Sequence, residues 1–359
     1  MAQAREPEAA EPAPSTEAME AALTLLDRSG PEYEGGLSNH GPMAAEALVV
    51  LERPGAVVPW VERYRRVLLA DPAGRQRIDE RDWRPALGDY ARVGDWAAFF
   101  LRRLDEDGWR PVLARWCGHL APGLSAAAFH GLIRTAHAAR SLARRETPTR
   151  RRELVRALAY WAARYEVLPE VGDGPPGRML PSEAIGSVER LPESRKPRAS
   201  ILDQLPALED LPSFRRVPDL VDTGGDPSRF LSDMAATFAG AYLRNAAPET
   251  TIALVHAVTG PSAVRLLIPY LPSDTIRRML RYAWQAAAAI HASWARDAPE
   301  DLPPAAHVDR DDLIDRAVAT GDEHAIKFVD ACLREHAISP APELLAAGRD
   351  AVARLRASP

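Results

Sequence analysis

The stretch FHGLIRTAHAAR at 129–140 sets two histidines, His130 and His137, seven residues apart. On a helix that is about two turns, so both imidazoles point the same way, with Arg134 on the stripe between them and Ser141 beyond. Phe129, Leu132, Ile133 and Ala136 form the apolar stripe. A solvated polar face would carry Asp, Glu or Lys, and residues 124–143 contain none. The flank is small (Ala127, Gly131, Ala138), so the helix reads as buried on several sides. Imidazoles facing one interior space need partners, and a metal ion would satisfy both.

Other histidines compete for the same role. His256 sits in TIALVHAVTG, apolar around most of the helical wheel, and His291 in AAAAIHASW is buried by the same pattern. A lone buried histidine is usually a core residue with its hydrogen bonds satisfied. His40 precedes the helix opened by Pro42 in LSNHGPMAAEAL, where it reads as a turn residue or as a ligand on a rigid loop–helix junction. His119, His307 and His336 lie in polar or loop contexts and are set aside. No HExxH, CxxC, GxGxxG, P-loop or GxSxG motif occurs. Histidines without nearby carboxylates make a neutral-imidazole site, which suits iron, copper or zinc rather than magnesium or calcium.

These residues sit in a chain of 359 residues, 46% apolar and 26% charged, with net charge -5 and a pI of about 6.0. There is no basic excess to neutralise a phosphate backbone, so no nucleic-acid partner is expected. The arginine-rich RETPTRRRELVRA at 145–157 is interleaved with Glu146 and Glu153 and reads as a solvated helix start. Cys117 and Cys332 are too few for a disulfide framework or a zinc cluster, and their apolar contexts read as buried inert thiols. A reducing, cytoplasmic setting fits. Residues 1–16, acidic and rich in Ala and Pro, lack the pattern of a signal peptide and read as a disordered tail. The apolar run YAWQAAAAIHASWA at 282–295 is too short to span a bilayer, so no membrane association is expected.

Helical periodicity dominates on both sides of one break. Helices are expected over 17–28, 42–52, 56–70, 94–106 (capped by Asp95), 124–145 and 152–167, and again over 229–246, 248–260, 262–271, 274–297, 310–321, 322–336 and 341–356. Between them, residues 167–222 hold nine prolines, which forbid long regular helix. The spaced leucines of ILDQLPALEDL favour a segment packed on the helical body, covering something, over a free linker. No run shows strand alternation with hairpin turns. The fold class is therefore all-α: an N-terminal helical half (17–166), the proline-rich excursion (167–222) and a C-terminal helical half (223–357), joined in one body of about 17–357.

Four elements together resemble the questin oxidase-like family: NHGPMAAEAL with RPGAVVPWVERY (39–48, 53–64), FHGLIRTAHAAR (129–140), ALVHAVTGPSAVRLLIPYLP (253–272) and GDEHAIKFVDACLREH (321–336). The resemblance runs through most of 33–337, in order. It implies an oxygenase of secondary metabolism that cleaves or oxygenates the ring of an anthraquinone-type aromatic polyketide, with a Baeyer–Villiger-like or dioxygenase outcome. It also implies non-haem Fe(II) held by several histidines and a lysine carbamate. Carried over residue by residue, His40, His130, His137 and His256 become ligand candidates and Lys327 the carbamate. His324 becomes a further ligand or a proton-transfer group, and Arg134 a partner for an anionic phenolate. That is more ligands than an open iron site can use. The partners implied are the polyketide and O2. No Rossmann fingerprint is present, so a nicotinamide reductant such as NADPH, if used, would act from outside the chain. The sequence says nothing of oligomeric state.

Two readings of different class follow. One is the iron oxygenase, its aromatic substrate in an apolar pocket bordered by Trp161, Tyr242 or Trp284, unless these are plain core. The other is a non-enzymatic all-α scaffold or interaction protein whose core histidines are satisfied. At Lys327 the residues and the resemblance disagree. On the wheel of DEHAIKFVDACLREH the core face is Ala325, Phe328, Val329 and Cys332, and Lys327 falls opposite with Asp330 and Arg334, four residues after Glu323. That spacing predicts a solvated ion pair, whereas the resemblance turns Lys327 towards the metal.

Overall fold

The computed structural model describes residues 11–170, 177–196, 201, 204–296 and 308–356. Helices α1 (Ala13–Leu25), α2 (Gly41–Val50), α3 (Pro54–Tyr64), α4 (Val93–Asp107), α5 (Trp109–Leu120), α6 (His130–Arg144) and α7 (Pro148–Ala163) precede the proline-rich stretch. Among its described residues lie the short α8 (Pro181–Ala184) and α9 (Gln204–Glu209) and a 3-10 helix over Pro212–Asp219. Then come α10 (Pro227–Asn245), α11 (Thr251–Leu267), α12 (Ser273–Trp294), α13 (Arg310–Thr320), α14 (Glu323–Ile338) and α15 (Pro342–Arg354). The body is all-α, with one small sheet of β1 (Ser29–Tyr33), β2 (Leu37–Ser38) and β3 (Leu68–Ala70), ordered β2-β1-β3 and antiparallel throughout.

The sheet escaped the sequence reading because its strands are too short to show alternation, and β1 itself contains Gly30 and Pro31. Residues 68–70, read as the end of a helix, are instead drawn into pairing with β1. Helix α1 starts at Ala13, ahead of the expected boundary, and Ser15 and Thr16 are buried. Only 1–10 of the expected tail lie outside the described residues. Asp95 is not a helix cap: its carboxylate accepts from the backbone N–H of Arg75 and Gln76 and pairs with Arg92. The helices expected over 248–260 and 262–271 are one helix, α11, continuous through Pro261. Thr251–Tyr270 is long and apolar enough to cross a bilayer, but 78% of that window is buried inside the protein, which is what a central core helix requires.

Helices from both halves share one large core. Leu208, Leu211, Phe214, Val217 and Val221 of the proline-rich segment are buried in it, and Trp284 Nε1 donates to Val217 O at 2.8 Å. A second core joins α1, α2, α3, α13 and α14. Both α2 and α14 face the two cores at once: Met43 and Phe328 pack in the first, Leu48 and Val329 in the second.

Four helices, α2, α6, α11 and α14, pack in a closed ring, each against the next. Gly260 permits the close approach of α11 to the start of α6 within the ring, and Gly131 permits that of α7 to α6 from outside it. A Cβ at Gly131 would stand 2.7 Å from the Trp161 backbone, and one at Gly260 would stand 2.4 Å from the Phe129 ring. Neither could be accommodated without separating the helices.

Candidate metal centre

The ring helices bring four histidines together at one end. His40 is the residue before α2, His130 opens α6, His324 is the second residue of α14, and His256 lies in the first half of α11. Each is held by its local chain. The Asn39 side chain accepts from Gly41 N at 2.9 Å and donates to Gly30 O at 2.8 Å, while His40 N donates to the Tyr64 hydroxyl at 2.8 Å. Asp322 caps α14 by accepting from the N–H of His324 (2.8 Å) and Ala325 (3.0 Å). Before His130 the helix expected over 124–129 is replaced by a turn in which Ala127, Ala128 and Phe129 all have positive φ (48°, 53° and 68°). Each costs on the order of 1 kcal/mol in a residue with a Cβ. The turn carries the Ala127 carbonyl to within 2.5 Å of His130 Nδ1.

That carbonyl decides a tautomer. A carbonyl oxygen only accepts, so the His130 proton lies on Nδ1. His256 Nδ1 meets the Ile252 carbonyl at 2.6 Å, with the same consequence. The two Nε2 atoms then face each other at 3.2 Å, both as lone pairs while the rings are neutral. They are kept neutral: burial, and then the neighbouring His256 and Lys327, hold His130 well below the usual imidazole range, and burial followed by His324 and Lys327 does so for His256. Two lone pairs in contact repel, and a cation between them removes the conflict.

The other rings close the cluster. The His40 ring centre lies 4.5 Å from those of both His130 and His324, and the His256 ring 5.4 Å from His324. His40, His130 and His324 each offer one ligand atom within 4.8 Å of the others. His40 is also held low, by burial first and then by Lys327. His324 Nδ1 is buried without a hydrogen bond, 3.7 Å from Asp322 Oδ1 and 3.8 Å from Glu323 Oε1. Three helices, α2, α6 and α14, present their N-termini to the cluster, and their dipoles favour an anion there.

Lys327 corrects the wheel. It is buried at 3% exposure, and its Nζ lies 3.2 Å from His40 Nδ1. The face it shares with Asp330 and Arg334 is polar, but it meets the polar stripes of α2 and α6 instead of water. Burial takes its ammonium down to about 8, with Glu323 and Asp322 opposing.

Beside the cluster lies a cavity of about 610 Å³, reached by His40, His130, His256 and His324. Tyr33, Tyr165, Ile252 and Trp294 give it aromatic and apolar walls, and Glu32, Arg164, Glu166 and Glu249 its polar ones. Ile201, from the proline-rich segment, also lines it. Burial raises the Glu166 carboxyl above its usual value.

Other expected residues lie elsewhere. His137 does not join the cluster. Seven residues of helix rise about 10 Å, too far for two imidazoles to share one ion. It bonds Glu46 at 2.8 Å through Nδ1. Arg134 is no anion receptor for the cavity: it makes two hydrogen bonds to buried Glu153, at 2.7 and 2.9 Å. His291 is also separate, and burial takes it down to about 4. Trp161, Tyr242 and Trp284 are core, their polar atoms on Gly123 O, Asp350 and Val217 O. Cys117 and Cys332 are buried free thiols, raised by burial; His307 lies outside the described residues. The sequence reading missed Tyr33, Tyr64, Tyr165, Glu166 and Trp294. Only Tyr64, inside the matched RPGAVVPWVERY, carried any signal.

No protein-family model and no curated protein matches this chain.

Proposed function

We propose that this protein is a non-haem iron-dependent oxygenase acting on the ring of an aromatic substrate, of the anthraquinone-type polyketide class that the questin oxidase-like resemblance implies. One observation carries the metal: the Nε2 atoms of His130 and His256, 3.2 Å apart, with both Nδ1 atoms committed to backbone carbonyls. A scaffold with satisfied core histidines would not set two acceptors against each other, nor leave His324 Nδ1 buried without a hydrogen bond.

The donor set fits a first-row transition metal. Imidazoles of His40, His130, His256 and His324 would hold it, and Lys327, as its carbamate, would supply the anionic donor that neutral imidazoles lack. Iron bound there supplies the redox centre through which O2 can react with a closed-shell aromatic ring. The protein's own groups do the rest. Carbonyls of Ala127 and Ile252 orient the His130 and His256 rings. Burial keeps the Lys327 amine ready to lose its proton. Tyr33, Tyr165 and Trp294 offer faces for a planar ring and exclude water from it. Glu166, which lines the same cavity with its carboxyl raised by burial, would exchange a proton with a substrate hydroxyl.

The test is anaerobic Fe(II) reconstitution followed by oxygen uptake with a panel of anthraquinols and anthraquinones, with and without NADPH. Uptake that depends on both iron and substrate supports the reading. Iron binding with no uptake across the panel removes the substrate class, and no iron binding removes the oxygenase.

A further inference from the structure

Behind the histidine cluster lies a second buried layer that the proposed chemistry does not use. It is built with a regular offset. Glu46 is six residues after His40, His137 seven after His130, Ser262 six after His256, and Asp330 six after His324. At about 1.5 Å per residue the layer stands about 9–10 Å from the cluster along every one of the four helices. The four therefore run the same way from one layer to the other.

The layer is continuously bonded. Arg140 donates through Nε to Glu46 Oε1 at 2.8 Å and through its terminal nitrogens to Asp330 Oδ2 at 2.8 Å and Oδ1 at 3.3 Å. His137 Nδ1 bonds the same Glu46 at 2.8 Å. Arg334 donates to Asp330 at 3.1 Å and to the Ser262 carbonyl at 3.2 Å. So α2, α6, α14 and α11 are joined in one chain of charge-assisted hydrogen bonds. Glu46 and Asp330 are 2% and 3% exposed, and both stay ionised: burial would raise them, but Arg140 outweighs it, with His137 aiding at Glu46 and Arg334 at Asp330. Two carboxylates against two guanidiniums leave the layer without net charge.

A buried ionic layer does not stabilise a fold better than apolar packing would, and its better-attested use is to fix register. We propose that Glu46, His137, Arg140, Asp330 and Arg334 are positioning residues. They lock the rotation and axial offset of the four ligand-bearing helices, so that the histidines meet in one place. This rests on the metal-centre reading. It makes His137 a member of the frame and not a ligand.

The test uses Co(II), whose visible spectrum reports both occupancy and geometry, titrated into the full chain. Glu46→Gln and Asp330→Asn keep shape and remove charge. Leu113→Ala, a buried truncation in α5, which packs on α4, α7 and α12, is the control for lost stability alone. The expected result is a Co(II) Kd raised about tenfold or more in both charge variants with an altered spectrum, and a wild-type Kd and spectrum in Leu113→Ala. Wild-type Kd and spectrum in the two charge variants, once circular dichroism shows them folded, would overturn the proposal while leaving the metal centre intact. A Kd raised equally in Leu113→Ala would reduce the layer to a stability element. No Co(II) binding by the wild type would overturn centre and layer together. If Asp330→Asn fails to fold, His137→Gln, which keeps a donor for Glu46, is read by the same two measurements and the same criteria.

Discussion

Lys327 offers the sharpest quantitative consequence of the geometry. Burial lowers its ammonium from an ordinary 10.5 to about 8. Across that gap the buried charge costs the metal-free folded protein about 3 kcal/mol at pH 7, as an order of magnitude. Below about pH 8 folded and unfolded chains both hold the proton, and the cost is felt in full. As pH rises from 8 towards 10.5 the folded chain has released its proton while the unfolded chain keeps it, so the cost fades and stability rises. Lys327→Met fills the same space without the charge. In urea denaturation with chelator present, the variant should be more stable than wild type by about 3 kcal/mol at pH 7 and by about 1 kcal/mol at pH 9.5. Packing differences between Lys and Met do not depend on pH, so the narrowing is the readout. A gap that is constant with pH would refute the placement of Lys327 in a dry site that disfavours its ammonium. The same shift bears on function. At pH 8 about half of this lysine is neutral, against about 0.3% of an ordinary one, and only the neutral amine forms a carbamate.

Other consequences follow from the same coordinates. In bicarbonate buffer, Fe(II) or Co(II) affinity should fall about tenfold per unit as pH drops below 8, because carboxylation requires Lys327 to lose its proton, while the already neutral His40, His130 and His256 add little. Lys327→Met should flatten that dependence, and an unchanged slope would exclude Lys327 from the centre. Arg134→Met should cost about 3–5 kcal/mol in urea denaturation by stranding buried Glu153, yet leave the KM for any substrate unchanged; a raised KM would return Arg134 to the substrate. Ala128→Gly should stabilise by up to about 1 kcal/mol, since relief of the left-handed backbone outweighs glycine's extra freedom in the unfolded chain.

Much of the histidine cluster was legible in the sequence. His130 was marked by a stripe without carboxylates, His256 by an apolar wheel, and His40 by a loop–helix junction that Asn39 and Pro42 make rigid. One error has a plain physical cause. The polar face of α14 was assigned to water, although polar stripes of α2 and α6 face it inside the protein. The wheel records which residues share a face, not what that face meets. His137 is a different lesson. Its direction was right, but direction is not position, and the rise of two turns already separates it from His130 by more than an ion can bridge. The left-handed turn at Ala127–Phe129 and the strands at 29–33 and 68–70 left no local mark. Their conformations are imposed by tertiary contacts, against the helix propensity of Ala and the shortness of the strands.

The measurement that bears most directly on the account is metal content after anaerobic Fe(II) reconstitution and desalting, comparing wild type with the double variant His130→Phe/His256→Phe. The facing Nε2 atoms of these residues predict about one iron per chain in the wild type and essentially none in the double variant. A wild type that retains no iron, or a double variant that retains as much as wild type, would contradict it.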